Sequence, residues 1–175
     1  RCDVCMSEVV KVCVCNGREI KWRERGEIVG GGRCGEEAAL EWGYVNAVGR
    51  IAEQLELNAV VHLGDYIYEY ASGVYGDTTL GRLHEPRHEV ITADDYHIRY
   101  AQYRRDPQLL AAHAVHPFIC IWDDHEVAND SYTTGAENHD ALTEGSYLTR
   151  MTSAKEIYYN WMPIREQANG AIYRS

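Results

Sequence analysis

The sequence predicts an α/β fold, and three observations point to it. Two short, largely apolar runs, Ala59–Leu63 and Phe118–Trp122, have the length and continuity of strands buried in a layered sheet. The segments before them carry helical signals, and alternating helix and strand is the pattern of α/β layers. Each run also passes straight into acidic and aromatic residues, Gly64-Asp65-Tyr66-Ile67-Tyr68 in the first and Asp123-Asp124-His125 in the second. Open α/β sheets place ligands and catalytic groups at such strand ends. Carboxylates gathered in one site call for a cation.

Residues 1–33 are poorly patterned and are expected to form a loosely attached N-terminal segment. Val9–Val14 alternates, Ile20–Arg25 is charged, and Gly30-Gly31-Gly32 reads as a hinge. Cys2, Cys5, Cys13 and Cys15 crowd this segment in a pattern compatible with zinc, with two disulfides or with free thiols. Trp42, Val45, Val48, Ile51, Ala52 and Leu55 recur at helical spacing, so Glu41–Glu56 is expected to be an amphipathic helix. Ala59–Leu63 then reads as a central strand covered on both faces. Residues 71–91 form a long loop punctuated by Gly73, Gly76, Gly81 and Pro86, and loops of this length are often functional.

Thr92 is an N-cap followed by first-turn acids, and the helix behind it runs over Asp95–Arg105. Asp106-Pro107 restarts a helix with Pro at its first position, and His116-Pro117 closes it before the second strand, Phe118–Trp122. A polar loop, Asp130–Gly145, leads to a helix at Tyr147–Trp161, which Pro163 ends.

A chain of 175 residues with 45% hydrophobic content suits one domain with a sizeable core. Seventeen basic against 27 acidic residues leave a net charge of −10, which argues against a nucleic-acid-binding face. An anionic substrate would then need local positive charge, and metal ions at the clustered carboxylates would supply it. No run of about 18 apolar residues exists to cross a membrane. The chain begins at Arg1 and stops at Ala171–Ser175, and both ends read as cuts, so a fragment of a longer protein is expected.

Several residues stand out chemically. Gly64 permits a sharp turn at the strand end, and Asp65 has two oxygens with which to bridge cations. Tyr68 offers a phenolate, a ligand suited to a ferric ion; packing in an aromatic loop is its other reading. Asp123 and Asp124 repel unless neutralised. In an extended segment their side chains point to opposite faces, so only one is expected at the metal. His125 beside them suits proton donation to a leaving oxygen. Cys34 offers a thiolate, with a small buried residue as its other reading, and Arg165 suits a bidentate anion clamp, with an ordinary surface arginine as its other reading. His62 reads as a core histidine, and Asn138 or His139 falls close enough in sequence to approach the site.

HLGDYIYEY (His62–Tyr70), HEPRHEVITADDYHIRYAQYRRDPQLLAAHAVHPFICIWDDHEVAND (His84–Asp130), GAENH (Gly135–His139) and YNWMPIREQ (Tyr159–Gln167) together resemble the PhoD-like alkaline phosphatases, members of the metallophosphatase superfamily. The resemblance covers roughly Trp42 to Ser175. It implies a metallophosphatase-like β-sandwich flanked by helices, of which residues 34–175 hold the N-terminal half. It also implies a secreted or periplasmic phosphomonoesterase or phosphodiesterase with a ferric ion (Fe3+) and calcium (Ca2+) in one site, acting through a metal-bound hydroxide. By the same resemblance Asp65 is the bridging ligand, Tyr68 and Cys34 bind the ferric ion, and Asp124 binds calcium. His125 is the catalytic histidine and Arg165 holds the phosphate. Here the cysteine lies in Gly32-Arg33-Cys34-Gly35, unlike the family's usual short motif.

Two other readings stand beside this one. A chain without further C-terminal ligands would be a catalytically incomplete fragment or a non-catalytic binding module. A zinc-knuckle protein organised on Cys2–Cys15 would bind zinc there instead.

Overall fold

The computed structural model describes the backbone of residues 2–6 and 11–15 and residues 46–165. Among the described residues the strands form one mixed sheet in the order β1-β2-β3-β4, with β1 Cys2–Met6, β2 Lys11–Cys15, β3 Ala59–His62 and β4 Phe118–Cys120. β1 and β2 pair antiparallel, as do β2 and β3, whereas β3 and β4 pair parallel. The N-terminal residues expected to attach loosely thus contribute two strands to the sheet. Cys2 pairs with Cys15 and Cys13 with Val4 in the backbone register. The expectations about the cysteine side chains, like those on residues 16–45, lie outside the described residues.

The helices are α1 Asn46–Ala52, α2 Ala93–Arg104, α3 Pro107–Val115 and α4 Tyr147–Trp161. α1 packs on α3, and α2 packs on both α3 and α4. Local signals set the starts of α2 and α3. The Thr92 side chain accepts from the Asp95 N–H while the Asp95 carboxylate accepts from the Thr92 N–H, a reciprocal capping box. Asp106 caps α3 through the N–H groups of Gln108 and Leu109, with Pro107 opening the helix.

α1 departs from expectation at its end. It stops at Ala52, and turns over Gln54 and Leu57 follow, so Leu55 is 80% exposed rather than on the packed face. Among the described residues β4 is the last strand of the sheet, with Phe118 and Cys120 buried while Ile119 is exposed. The core gathers Val60, Phe118 and Cys120 from the strands with Tyr96, Tyr100 and Tyr158 from the helices. His62 is buried there, its ring 5.1 Å from that of Tyr66.

The parallel pair positions everything that follows. Val60, Val61 and His62 lie beside Phe118, Ile119 and Cys120. The ladder continues through the Ile121 N–H to the His62 carbonyl at 2.8 Å. Parallel strands end at the same sheet edge, so the residues that follow β3 and β4 leave the sheet side by side.

Candidate metal centre

Counting on from the last paired residues, His62 and Cys120, the third residue of each exit is an aspartate, Asp65 and Asp123. The backbones come so close that a Cβ built on Gly64 would stand 2.4 Å from the Cβ of Asp123. Gly64 also has φ +104, so both conformation and space demand glycine. Asp65 follows with φ 52, a left-handed backbone that only a minority of non-glycine residues adopt and that clusters at functional sites.

Asp65, Asp123 and Asp124 each offer a carboxylate oxygen, and these three oxygens lie within 4.8 Å of one another. Asp65 is buried and the other two are half-buried. Both members of the Asp123-Asp124 pair therefore face the cluster, against the expectation that only one would. The reason is local. Asp123 caps a single 3-10 turn, Asp124–Glu126, and its box with Glu126 ends the extended conformation before Asp124. Asp124 is held further by the Asp130 N–H, which donates to its Oδ2 at 2.6 Å.

Glu126 joins the two exits. It is fully buried, its Oε1 accepts the Tyr66 N–H at 2.5 Å, and its Oε2 accepts the N–H groups of Asp123 at 2.5 Å and Asp65 at 3.3 Å. Burial pushes its pKa up to about 8, Asp65 adds to the rise, and the backbone N–H groups oppose it.

His125 leaves the same turn. Its Nδ1 is 2.8 Å from Oε2 of Glu69, whose side chain is fully buried. Burial alone would lower the His125 pKa, but the Glu69 hydrogen bond and charge, with Asp124 and Asp65, outweigh it and raise the pKa. Burial would likewise raise Glu69, yet His125 and the donor N–H groups bring it below the ordinary carboxylate value. Tyr68 is buried beside them. Its ring centroid is 4.3 Å from that of His125, and it stacks on Tyr75 at 5.9 Å. Burial first, then the Asp65 charge, holds its phenol well above the ordinary tyrosine value, so without a cation it keeps its proton. Arg99, also buried, donates to the Tyr68 and Tyr70 carbonyls and so braces this loop from behind.

The donor set fits a cation. Three converging carboxylates repel one another, and their hard oxygens suit calcium, magnesium, manganese or ferric ions rather than soft metals.

The family model of the PhoD-like phosphatases matches residues 33–175. The chain belongs to the PhoD-like phosphatase family. It is 40% identical over 125 residues to alkaline phosphatase D of Bacillus subtilis (strain 168), a match that covers 71% of this chain and 21% of that protein. It also resembles a solved structure of PhoD with a TM-score of 0.67 and 40% identity, covering 77% of this chain and 26% of that one. The chain therefore spans about a fifth of the length of the curated relative it matches, 21%. No helix among the described residues is long and apolar enough to cross a membrane.

Within this PhoD-like chain the structure brings Asp65, Asp124, His125 and Tyr68 to one sheet edge. Arg165 is exposed beyond the end of α4, and Cys34 lies outside the described residues. Asn138 does approach, donating to Glu69 Oε1 at 2.8 Å, whereas His139 pairs with Glu144 at 2.9 Å. Sequence reasoning missed Glu69 as the partner of His125, and it missed Asp123 as a member of the acidic cluster. The Asp123-x-x-Glu126 capping pattern was the available signal for Asp123. Glu69 had none, because its partner is 56 positions away.

Proposed function

We propose that this chain is the N-terminal part of the catalytic domain of a metal-dependent phosphoester hydrolase, a phosphomonoesterase or phosphodiesterase of alkaline phosphatase D type. The observation that carries this reading is the convergence of Asp65, Asp123 and Asp124 within 4.8 Å at the ends of a parallel strand pair, with His125 leaving the same turn. Family membership supports the phosphoester substrate class. In this reading the sheet is one layer of a β-sandwich, and the protein works in a secreted or periplasmic setting.

Asp65, Asp123 and Asp124 would hold the cations, with Tyr68 and Cys34 on the ferric side and Asp124 on the calcium side. When bound, iron and calcium supply Lewis acidity to the phosphoryl group and acidify a water molecule. The chain's own residues do the rest. Asp65 is held by the Glu126 bridge, so the ligand set is fixed before substrate arrives. Arg165 would hold the phosphate through paired N–H donors. His125 would give its proton to the leaving oxygen.

The test is hydrolysis of 4-nitrophenyl phosphate esters by the full-length protein and its Asp65→Ala variant. Loss of hydrolysis with the fold retained is expected. Undiminished hydrolysis by a folded Asp65→Ala protein would sink the reading.

A further inference from the structure

Glu69 is set like a fixture rather than an incidental neighbour of His125. Its side chain is fully buried, and each oxygen is engaged. Oε2 meets His125 Nδ1 at 2.8 Å, while Oε1 accepts the Asn129 N–H at 2.7 Å and the Asn138 Nδ2 at 2.8 Å. Asn138 is shared with Glu89 at 3.1 Å, and Glu89 pairs with Arg150 at 2.8 Å. Arg150 is buried on α4 and also donates to the Val90 carbonyl at 2.9 Å. A continuous run of hydrogen bonds therefore leads from α4 through Asn138 to Glu69 and His125. Donors from separate segments prevent the carboxylate from rotating away.

An ionised carboxylate only accepts, so the shared hydrogen belongs to His125 Nδ1. The ring cannot then turn to present Nδ1 elsewhere, and Nε2 is left for other chemistry. We propose that Glu69 is a positioning residue that orients His125 and fixes its tautomer, so that Nε2 is the nitrogen that meets the leaving oxygen of a phosphoester. This rests on the reading of His125 as proton donor. As the P–O bond breaks, its electron pair stays on the leaving oxygen, which takes the Nε2 proton and departs as an alcohol. The ring is left neutral with hydrogen on Nδ1. The attacking water supplies the new oxygen on phosphorus, and its released proton restores the ring.

Substitution Glu69→Gln keeps shape while removing charge. The two donors at Oε1 hold the amide oxygen, so the amide NH2 faces His125 Nδ1 and forces the opposite tautomer. The test compares alkyl esters, whose leaving oxygen needs a proton, with 4-nitrophenyl esters, whose leaving oxygen does not. In the metal-loaded full-length protein, Glu69→Gln is expected to lower kcat for alkyl esters by about 100-fold or more, with KM little changed. Its loss on 4-nitrophenyl esters is expected to stay within about threefold, well below that catalytic range. His125→Gln should show the same split, and the double variant should be no worse than His125→Gln alone.

Equal loss on both esters for Glu69→Gln would mark a structural role and overturn the proposal. A split for His125→Gln without one for Glu69→Gln would also overturn it, while leaving the proton-donor reading in place. No split for His125→Gln would remove that reading and the Glu69 role together. If Glu69→Gln fails to fold, imidazole nitrogen NMR of the unaltered protein decides. A hydrogen on His125 Nδ1 supports the proposal, and an unprotonated Nδ1 contradicts it.

Discussion

Glu126 binds the first acidic strand end to the second: its Oε1 accepts the Tyr66 backbone N–H at 2.5 Å, across 60 positions of sequence. Its Oε2 meanwhile accepts the N–H groups of Asp65 and Asp123. A change of Glu126→Gln keeps the carbonyl oxygen where two donors converge and turns the amide NH2 toward the Tyr66 N–H. Two donors then face each other in a dry site, at a cost of about 1–3 kcal/mol. Chemical denaturation above about pH 8, where the buried carboxyl has lost its proton, should show that loss, together with weaker cation binding. Unchanged stability would mean that Glu126 does not hold the two strand ends together.

Gly64 tests the close approach of the same strand ends. A Gly64→Ala change puts a methyl 2.4 Å from the Asp123 Cβ and forces alanine into φ +104. Alanine at positive φ costs more than about 1 kcal/mol, and the clash adds to it. Thermal unfolding should therefore fall clearly, and the protein that remains folded should bind cations poorly because Asp123 has moved.

The His125–Glu69 pair predicts a pH window for the chelated protein. The His125 pKa is raised in the fold, so its contribution is complete below the ordinary value of 6.5 and is lost as pH rises through the folded value. The Glu69 pKa is lowered, so its contribution is present above the ordinary 4.5 and is lost as pH falls through the folded value. The stability gap between the unaltered protein and His125→Gln should be widest between those limits and narrow on either side. Breaking one member of a buried pair costs about 3–5 kcal/mol, an upper bound for a ring that is partly exposed. A gap independent of pH would contradict the pairing.

Tyr68 predicts a colour. With iron bound, a phenolate ligand gives a visible charge-transfer band, and Tyr68→Phe should abolish it while leaving the fold intact. The hydroxyl is the only group removed, so the ring stack with Tyr75 at 5.9 Å is kept. A band that survives the change would show that another residue supplies the charge.

What was legible in the sequence was local. Thr92 with Asp95, and Asp106 with Pro107, announce helix starts within four residues, and the structure places α2 and α3 there. The apolar runs ending in Gly64-Asp65 and Asp123-Asp124 likewise marked the strand pair whose ends form the acidic cluster. Non-local features were not legible. Glu69 looks like any acidic loop residue until β3 and β4 pair and bring His125 to it. Leu55 fits a helical stripe but lies past the point where α1 stops. Both aspartates of the second strand end turn inward because one capping turn overrides strand alternation.

The central claim is that Asp65, Asp123 and Asp124 form a cation site. Elemental analysis of the full-length protein and its Asp65→Ala variant, both shown to be folded, tests it most directly. Iron and calcium in whole-number ratio to the unaltered protein, and their loss from Asp65→Ala, are the expected result. Equal metal content in the two proteins, or none in the unaltered one, would contradict it.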